Sequence, residues 1–235
     1  MVALPSTAAY VPPTQDRYPD YAPVPPANQA LPVQEPGTRP ARPVPYELHV
    51  HGQANFSAGT FTIQFGNSGK TVVYQVRSGN SSQGPWTYTL GTGDSVSDTW
   101  QITSNNLTGY DLSVYGPNGF FRSFKGSISG AGAANLDIHT AYNKQTNALT
   151  LYGANRGSAT ATIRLTNVYT GQVLSEDVKA GASGAHTFEL NSTHGWYDFI
   201  VEVAQDPSFR YQISGHLETG NESRTDPAIG AGGDE

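Results

Sequence analysis

The sequence contains no cysteine, which removes disulfide staples, thiolate metal centres and cysteine nucleophiles together. Secretion stays open, because domains near 90 residues can hold together without bridges. Charge is scarce as well. Only 14% of residues are charged, the net charge is −6, and no block of one sign occurs. Nucleic acid is therefore not an expected partner, since phosphate binding needs a basic face, and anionic lipid finds no basic cluster either. No apolar run approaches the roughly 18 residues a spanning helix requires. The opening MVALPSTAAYVPP lacks a basic stretch followed by an apolar core, so it does not read as a signal peptide. In front of a linker-like segment, Met1 reads as the start of a piece of a longer protein.

What is present points to β structure. The chain holds 26 Gly and 16 Pro, and apolar stripes of helical period are absent, so short strands between turns are expected. Thirteen Tyr, nine Phe and three Trp supply the large apolar groups that small β cores need. Twelve of the prolines fall in residues 1–45, which are expected to run as an extended linker, with a PxxP-type recognition segment as the alternative. Tyr10, Tyr18 and Tyr21 could let part of it pack along the first folded unit.

The stretch from His194 to Gly220 reads as a strand, a turn at Asp206-Pro207 and a returning strand, and Gly109 to Gly130 repeats its plan. Tyr110-Asp111 answers Tyr197-Asp198 at an offset of 87, and Phe121-Arg122 answers Phe209-Arg210 at an offset of 88. Such self-similarity signifies two copies of one unit. Further echoes set Phe61 and Ile63 against Leu149 and Leu151, Asn67 and Gly69 against Asn155 and Gly157, Trp86 against Leu174, and Trp100 against Phe188. Large apolar residues exchanged for one another at equal offsets indicate burial. Seven strands are expected in each copy: 46–51, 60–66, 70–77, 86–90, 95–102, 109–115 and 120–128, then 136–141, 148–154, 159–166, 173–178, 184–190, 196–203 and 209–218. The expected fold is all-β, two tandem immunoglobulin-like sandwiches over 46–130 and 135–220, with a tail over 221–235.

At these residues a family becomes recognisable. Gln34-Glu35-Pro36-Gly37-Thr38-Arg39-Pro40, Tyr46-Glu47-Leu48-His49, Gly84-Pro85-Trp86 and Tyr110-Asp111-Leu112 carry the resemblance in the first copy, with Gly116-Pro117-Asn118-Gly119-Phe120-Phe121-Arg122. His194-Gly195-Trp196-Tyr197-Asp198 and Gly215-His216-Leu217-Glu218-Thr219-Gly220 carry it in the second. Over residues 34 to 228 the chain resembles the C-terminal region of the bacterial phosphocholine-preferring phospholipases C, secreted enzymes that hydrolyse phosphatidylcholine or sphingomyelin. The resemblance implies small β-sandwich domains appended to a catalytic domain that would precede Met1, and a chain that ends near the family's natural terminus.

The residues themselves offer little chemistry. His49 and His51 share one strand face and could reach one metal, but no third ligand is evident. His139 aligns with His49 and nothing answers His51; His186, His194 and His216 read as surface or hydrogen-bonded. Gly181-Ala182-Ser183-Gly184 only superficially resembles a nucleophile elbow, and no acidic pair is spaced for acid–base work. No catalytic residue, metal or cofactor is therefore expected. Tyr110 and Tyr197 suggest buried phenols tied to nearby backbone, as in a tyrosine corner, with Asp111 and Asp198 anchoring loops. Phe120, aligned with Ser208, and Trp196, aligned with Gly109, are aromatics that the shared core does not demand. They are the candidate contacts, either with lipid or sugar or at a domain junction. Asn-x-Ser/Thr sequons at Asn55, Asn80, Asn106, Asn191 and Asn221 matter only in a glycosylating host. The leading expectation is a non-catalytic accessory module of a secreted phospholipase C, with the catalytic domain and a phospholipid surface as partners. A lipid- or carbohydrate-binding module and a structural or adhesin-like spacer are the alternatives.

Overall fold

The strands follow from alternation. In Val72–Ser78 the residues Val72, Tyr74 and Val76 are buried in alternation, and in Trp196–Val203 the inward set is Tyr197, Phe199, Val201 and Val203. Period-2 burial of this kind places one face of each strand on a core. A computed structural model describes Ala27, Glu35 and residues 37–80, 82–130 and 132–229. Tyr10, Tyr18 and Tyr21, most of the Pro-rich segment and the last six residues lie outside the described part.

The strands in order are β1 (Pro40–Ala41), β2 (Leu48–Asn55), β3 (Thr60–Asn67), β4 (Val72–Ser78), β5 (Trp86–Leu90), β6 (Ser95–Gln101), β7 (Gly109–Tyr115) and β8 (Phe121–Ser127). The second copy supplies β9 (Leu136–Asn143), β10 (Ala148–Asn155), β11 (Ala161–Asn167), β12 (Val173–Val178), β13 (Ser183–Glu189), β14 (Trp196–Val203) and β15 (Asp206–His216), and β16 (Ser223–Arg224) follows. The all-β reading and the seven-plus-seven strand count both hold. Within each copy the split is the same: β2, β3 and β6 correspond to β9, β10 and β13, and β4, β5, β7 and β8 to β11, β12, β14 and β15. The fourth strand of each copy joins the sheet of the third, whereas an immunoglobulin constant domain places it on the opposite sheet.

The sheets also run on from one copy into the other. β8 pairs antiparallel with β15, so one eight-stranded sheet has the order β12-β11-β14-β15-β8-β7-β4-β5, which reads the same from either edge. Ser123 faces Gln212 at its midpoint, and the copies are related by a local two-fold there. The opposite layer consists of two three-stranded sheets whose edge strands β2 and β9 lie side by side without a ladder between them. Residues Glu35–Glu235 cluster as one compact unit.

Three local expectations change. The hairpin turn of the second copy sits at Ala204-Gln205, and Asp206-Pro207 already belongs to β15. Pro207 is tolerated because β15 does not begin its ladder with β8 until Arg210, so no hydrogen bond is lost there. The freed Asp206 carboxylate accepts from Ser208 and, at 2.8 Å, from the backbone N–H of Ala134, holding the link between the copies. Secondly, residues 40–41 are not purely linker and 223–224 not purely tail, since β1 and β16 pair as a two-stranded ribbon. Thirdly, the first strand of the sandwich begins two residues later than Tyr46, at Leu48. Among the described residues no helix is long and apolar enough to cross a membrane.

Asn67 and Asn155 occupy equivalent places at the ends of β3 and β10. Each is buried, donates to two or more backbone carbonyls and accepts from the N–H of Gly69 or Gly157. A buried amide is stable only when satisfied in this way. Core packing in the first copy is close enough that Gly52 on β2 has no room for a methyl group, since an added Cβ would lie 2.7 Å from Phe124 and 2.8 Å from Phe61. Gly52→Ala should therefore lower stability by about 1–3 kcal/mol, the usual cost of overpacking, as read from a shift in urea midpoint.

Candidate functional site

Register decides what the two copies share at their junction. Tyr115 pairs with Phe121 across the first hairpin, and Glu202 with Arg210 across the second. The stretch between the paired residues of the second hairpin, 203–209, is two residues longer than that of the first, 116–120. Phe120 therefore corresponds to Phe209 rather than Ser208, and Arg122 to Tyr211 rather than Arg210. Phe120 is not an unshared aromatic and does not stand on a loop tip: it is 5% exposed, edge-on to Tyr74, with the Arg122 guanidinium 4.2 Å above its ring.

Arg122 is the most deeply buried charge among the described residues, 1% exposed. It donates to the carbonyls of Phe121 and Ser214 at 2.8 and 2.7 Å, and to the hydroxyls of Tyr142 and Tyr197 at 2.8 and 3.1 Å. Burial works against its charge, but the phenols of Tyr197 and Tyr142 outweigh that and hold the guanidinium protonated. Burial likewise pushes the Tyr197 and Tyr110 phenols far above their ordinary value. The tyrosine-corner expectation gives way to a cross-copy arrangement. Tyr197 of the second copy meets Arg122 of the first, and Tyr110 of the first meets Tyr211 of the second at 3.0 Å. Asp111 pairs with Lys125, and Asp198 accepts from Gln212 and Ser214 on β15.

Trp196 has no counterpart, as expected, yet it too is buried, at 8% exposure. Its indole N–H donates to the Arg224 carbonyl at 2.9 Å, its ring packs on His216, and Gly119 of the first copy lies so close that a Cβ there would meet the ring at 2.9 Å. Beside it, His216 Nδ1 is 2.8 Å from Glu218 and Nε2 is 3.0 Å from Ser223 Oγ, the spacing of a Ser-His-acid relay. The hydrogen bonds argue otherwise. The His194 carbonyl, which can only accept, lies 2.9 Å from Nε2 and 2.7 Å from Ser223 Oγ. Ser223 Oγ gives its hydrogen to that carbonyl and so does not aim it at Nε2. Glu218 also accepts from Val44 N–H and Asn118, so the group binds β16 and the first-copy turn to β15.

His49 and His51, which share a strand face, bond to different partners. His49 Nε2 bonds Ser68 at 3.1 Å, and burial, ahead of Arg122 and Lys144 and against Glu47, lowers its pKa. His51 instead reaches Asp137 at 2.6 Å, with His139 alongside. His139 is the equivalent of His51, the fourth residue of β9 as His51 is of β2. Sequence reading missed this cluster because it paired His139 with His49 and could not see β2 and β9 meet. Asp137 would rise on burial alone, but hydrogen bonds from Arg156 and His51 hold it below the ordinary carboxylate value.

The two cores differ in filling. In the first, Phe65 packs between Tyr74 and Tyr88, centroids 5.5 and 4.5 Å away. Gly153, Ile163 and Glu176 hold the equivalent positions, and their smaller bulk leaves a small apolar cleft, open to solvent on one side, with about 60 Å³ of free space. Leu151, Leu165, Leu174 and Val201 line it, with the His186–Glu176 pair at 2.8 Å beside them.

Fold and junction together define a duplicated β-sandwich module whose buried polar groups fasten one copy to the other. Segments 40–127 and 133–216 each match the model described as bacterial phospholipase C, C-terminal domain, and the chain belongs to that family. It is 40% identical over 231 residues to a non-hemolytic phospholipase C of Burkholderia pseudomallei, covering 96% of this chain and 33% of that protein. Similarity extends to a non-hemolytic phospholipase C of Pseudomonas aeruginosa, 34% identical over 89% of this chain and 31% of the relative. A hemolytic phospholipase C of the same organism is 27% identical over 86% and 31%. The chain spans about a third of the length of these relatives.

Arg122→Ala should cost about 3–5 kcal/mol, because two phenols and two carbonyls lose their donor and a cavity opens. Arg210→Ala, at the position paired with it by sequence offset, should stay within about 0.5 kcal/mol; chemical denaturation of both variants checks the register.

Proposed function

We propose that this module is a non-catalytic accessory domain of a secreted phospholipase C acting on phosphatidylcholine or sphingomyelin, and that it supports the catalytic domain and orients it at the lipid surface. One observation carries the reading: both copies match the family's C-terminal domain within a third of relatives that are themselves named phospholipases C. The engagement of Arg122, Trp196 and His216 in holding the two copies and the ribbon together supports a scaffolding role for these side chains. Phe120 and Trp196 serve the junction in this reading, and lipid contact falls to other residues.

The apolar cleft of the second copy favours the surface-orienting part, as an open apolar contact for a phospholipid surface. Gly153 offers a direct test, because its φ is ordinary and a Cβ there would meet nothing within 4 Å. Gly153→Phe restores the residue type of Phe65 and fills the cleft. It should raise stability by about 0.5–2 kcal/mol, as cavity filling commonly does, and should reduce co-sedimentation with phosphatidylcholine vesicles. Undiminished vesicle binding in a stabilised variant rules out the cleft as the contact.

The accessory role is tested on the full-length enzyme with and without this module. Loss of activity on bilayers but not on micelles is the expected result for surface orientation, and loss on both for folding support. Turnover of a soluble phosphocholine ester by this chain alone, above a heat-killed control, would overturn the non-catalytic reading.

A further inference from the structure

The layer facing the eight-stranded sheet has a weak line. β2 of the first copy and β9 of the second lie side by side there, but they exchange no backbone ladder. On the outward side of that seam stand His51, Asp137 and His139, their ligand atoms all within 4.8 Å of one another. The two histidines hold equivalent positions in the two copies, and their ring centroids are 5.8 Å apart.

We propose that His51, Asp137 and His139 bind a divalent first-row cation, with Zn²⁺ the best fit, and that the ion clips the two copies together across the seam. Two imidazoles and one carboxylate form a donor set that suits zinc, with a water completing the tetrahedron. Calcium and magnesium are disfavoured, since they seek six or more oxygen ligands. Zinc bonds of roughly 2.0–2.1 Å in a tetrahedron place ligand atoms about 3.3 Å apart. His51 Nε2 and Asp137 Oδ1 stand 2.6 Å apart around a shared hydrogen. Replacing that hydrogen by the ion moves them apart by under about 1 Å and draws His139 inward by about 1.5 Å at most, on the same bond lengths.

The surroundings permit both movements. His139 is exposed, and its ring lies flat on Tyr152, with centroids 5.0 Å apart and planes 8° off parallel, a surface along which it can slide. Asp137 is buried and fixed from behind: Arg156 Nε donates to its Oδ2 at 2.9 Å and a second guanidinium nitrogen bonds the same oxygen, which leaves Oδ1 aimed at the histidines. Carboxylate ligands are commonly oriented by such outer partners. The Arg156 charge opposes a cation, but it sits on the far oxygen and its side chain is 53% exposed, so water and salt screen it. Exposure of His139 also leaves the outer face open to water for the fourth position.

The test is titration of the complete 235-residue chain, stripped with chelator, with Zn²⁺ by calorimetry and with Co²⁺ by visible absorption. One equivalent should bind, Co²⁺ should give the intense bands of a four-coordinate site, and Zn²⁺ should raise the melting temperature by mass action on the folded state. His51→Ala and His139→Ala should each weaken binding at least about tenfold, the effect that loss of even an outer partner produces, and His139→Ala should shrink the melting shift accordingly. His49→Ala should change nothing. Because His139 is exposed, its variant folds without metal, which the far-ultraviolet spectrum verifies; His139→Gln provides a second check. Absence of one-equivalent binding, or full affinity in His139→Ala, overturns the proposal. Binding that survives His139→Ala but disappears in His186→Ala would place the ion at the His186–Glu176 pair and overturn it equally.

Discussion

The antiparallel ladder between β8 and β15 is the constraint from which the rest follows. Each is the last strand of its copy, and each alone would present a row of unpaired N–H and C=O groups, a template for aggregation. Paired with each other, these two edges vanish and two sandwiches become one. The same pairing brings β2 beside β9 in the other layer, drives Arg122 under the second copy, and lets Tyr110 and Tyr197 reach across. Removing one of the groups that cross would leave others buried and unpaired, so the junction is held by mutual satisfaction more than by any single contact.

The two copies have diverged where symmetry would have cost most. Equivalent residues approach one another around a local two-fold, and at the place where the second copy has Tyr211 the first has Arg122. Two arginines at these equivalent positions would bury two positive charges near each other without a counter-ion. One arginine among phenols and carbonyls is stable, and a Tyr–Tyr hydroxyl pair completes the other side. The second core is also emptier, with Gly153 at the place where the first has a phenylalanine packed against two tyrosines.

Much of this was legible in the order of residues. Strand positions followed from alternation, turns from Asn and Gly, and burial from large apolar residues exchanged at a constant offset. What escaped was set by small changes in length. Two extra residues in the second hairpin shifted the true partner of Phe120 from Ser208 to Phe209, which made a core aromatic look unshared. Pro207 suggested a turn, although the start of a strand, before its ladder begins, tolerates it equally. The His51–Asp137–His139 group could not be read at all, because Asp137 looks like any polar residue on a strand and meets His51 only when the two copies lie edge to edge. Periodicity reports which face a residue takes, whereas contacts between distant copies depend on how the sheets join.

The ribbon of Pro40–Ala41 with Ser223–Arg224 brings the chain's entrance and its exit to one corner. Pro40 faces Arg224, so both strands leave from the same end. Tension applied through the two ends would peel this pair rung by rung, as a zipper opens, and would not load the long ladders of the sandwich in shear. A module tethered in this way yields first at its attachment while its interior stays intact.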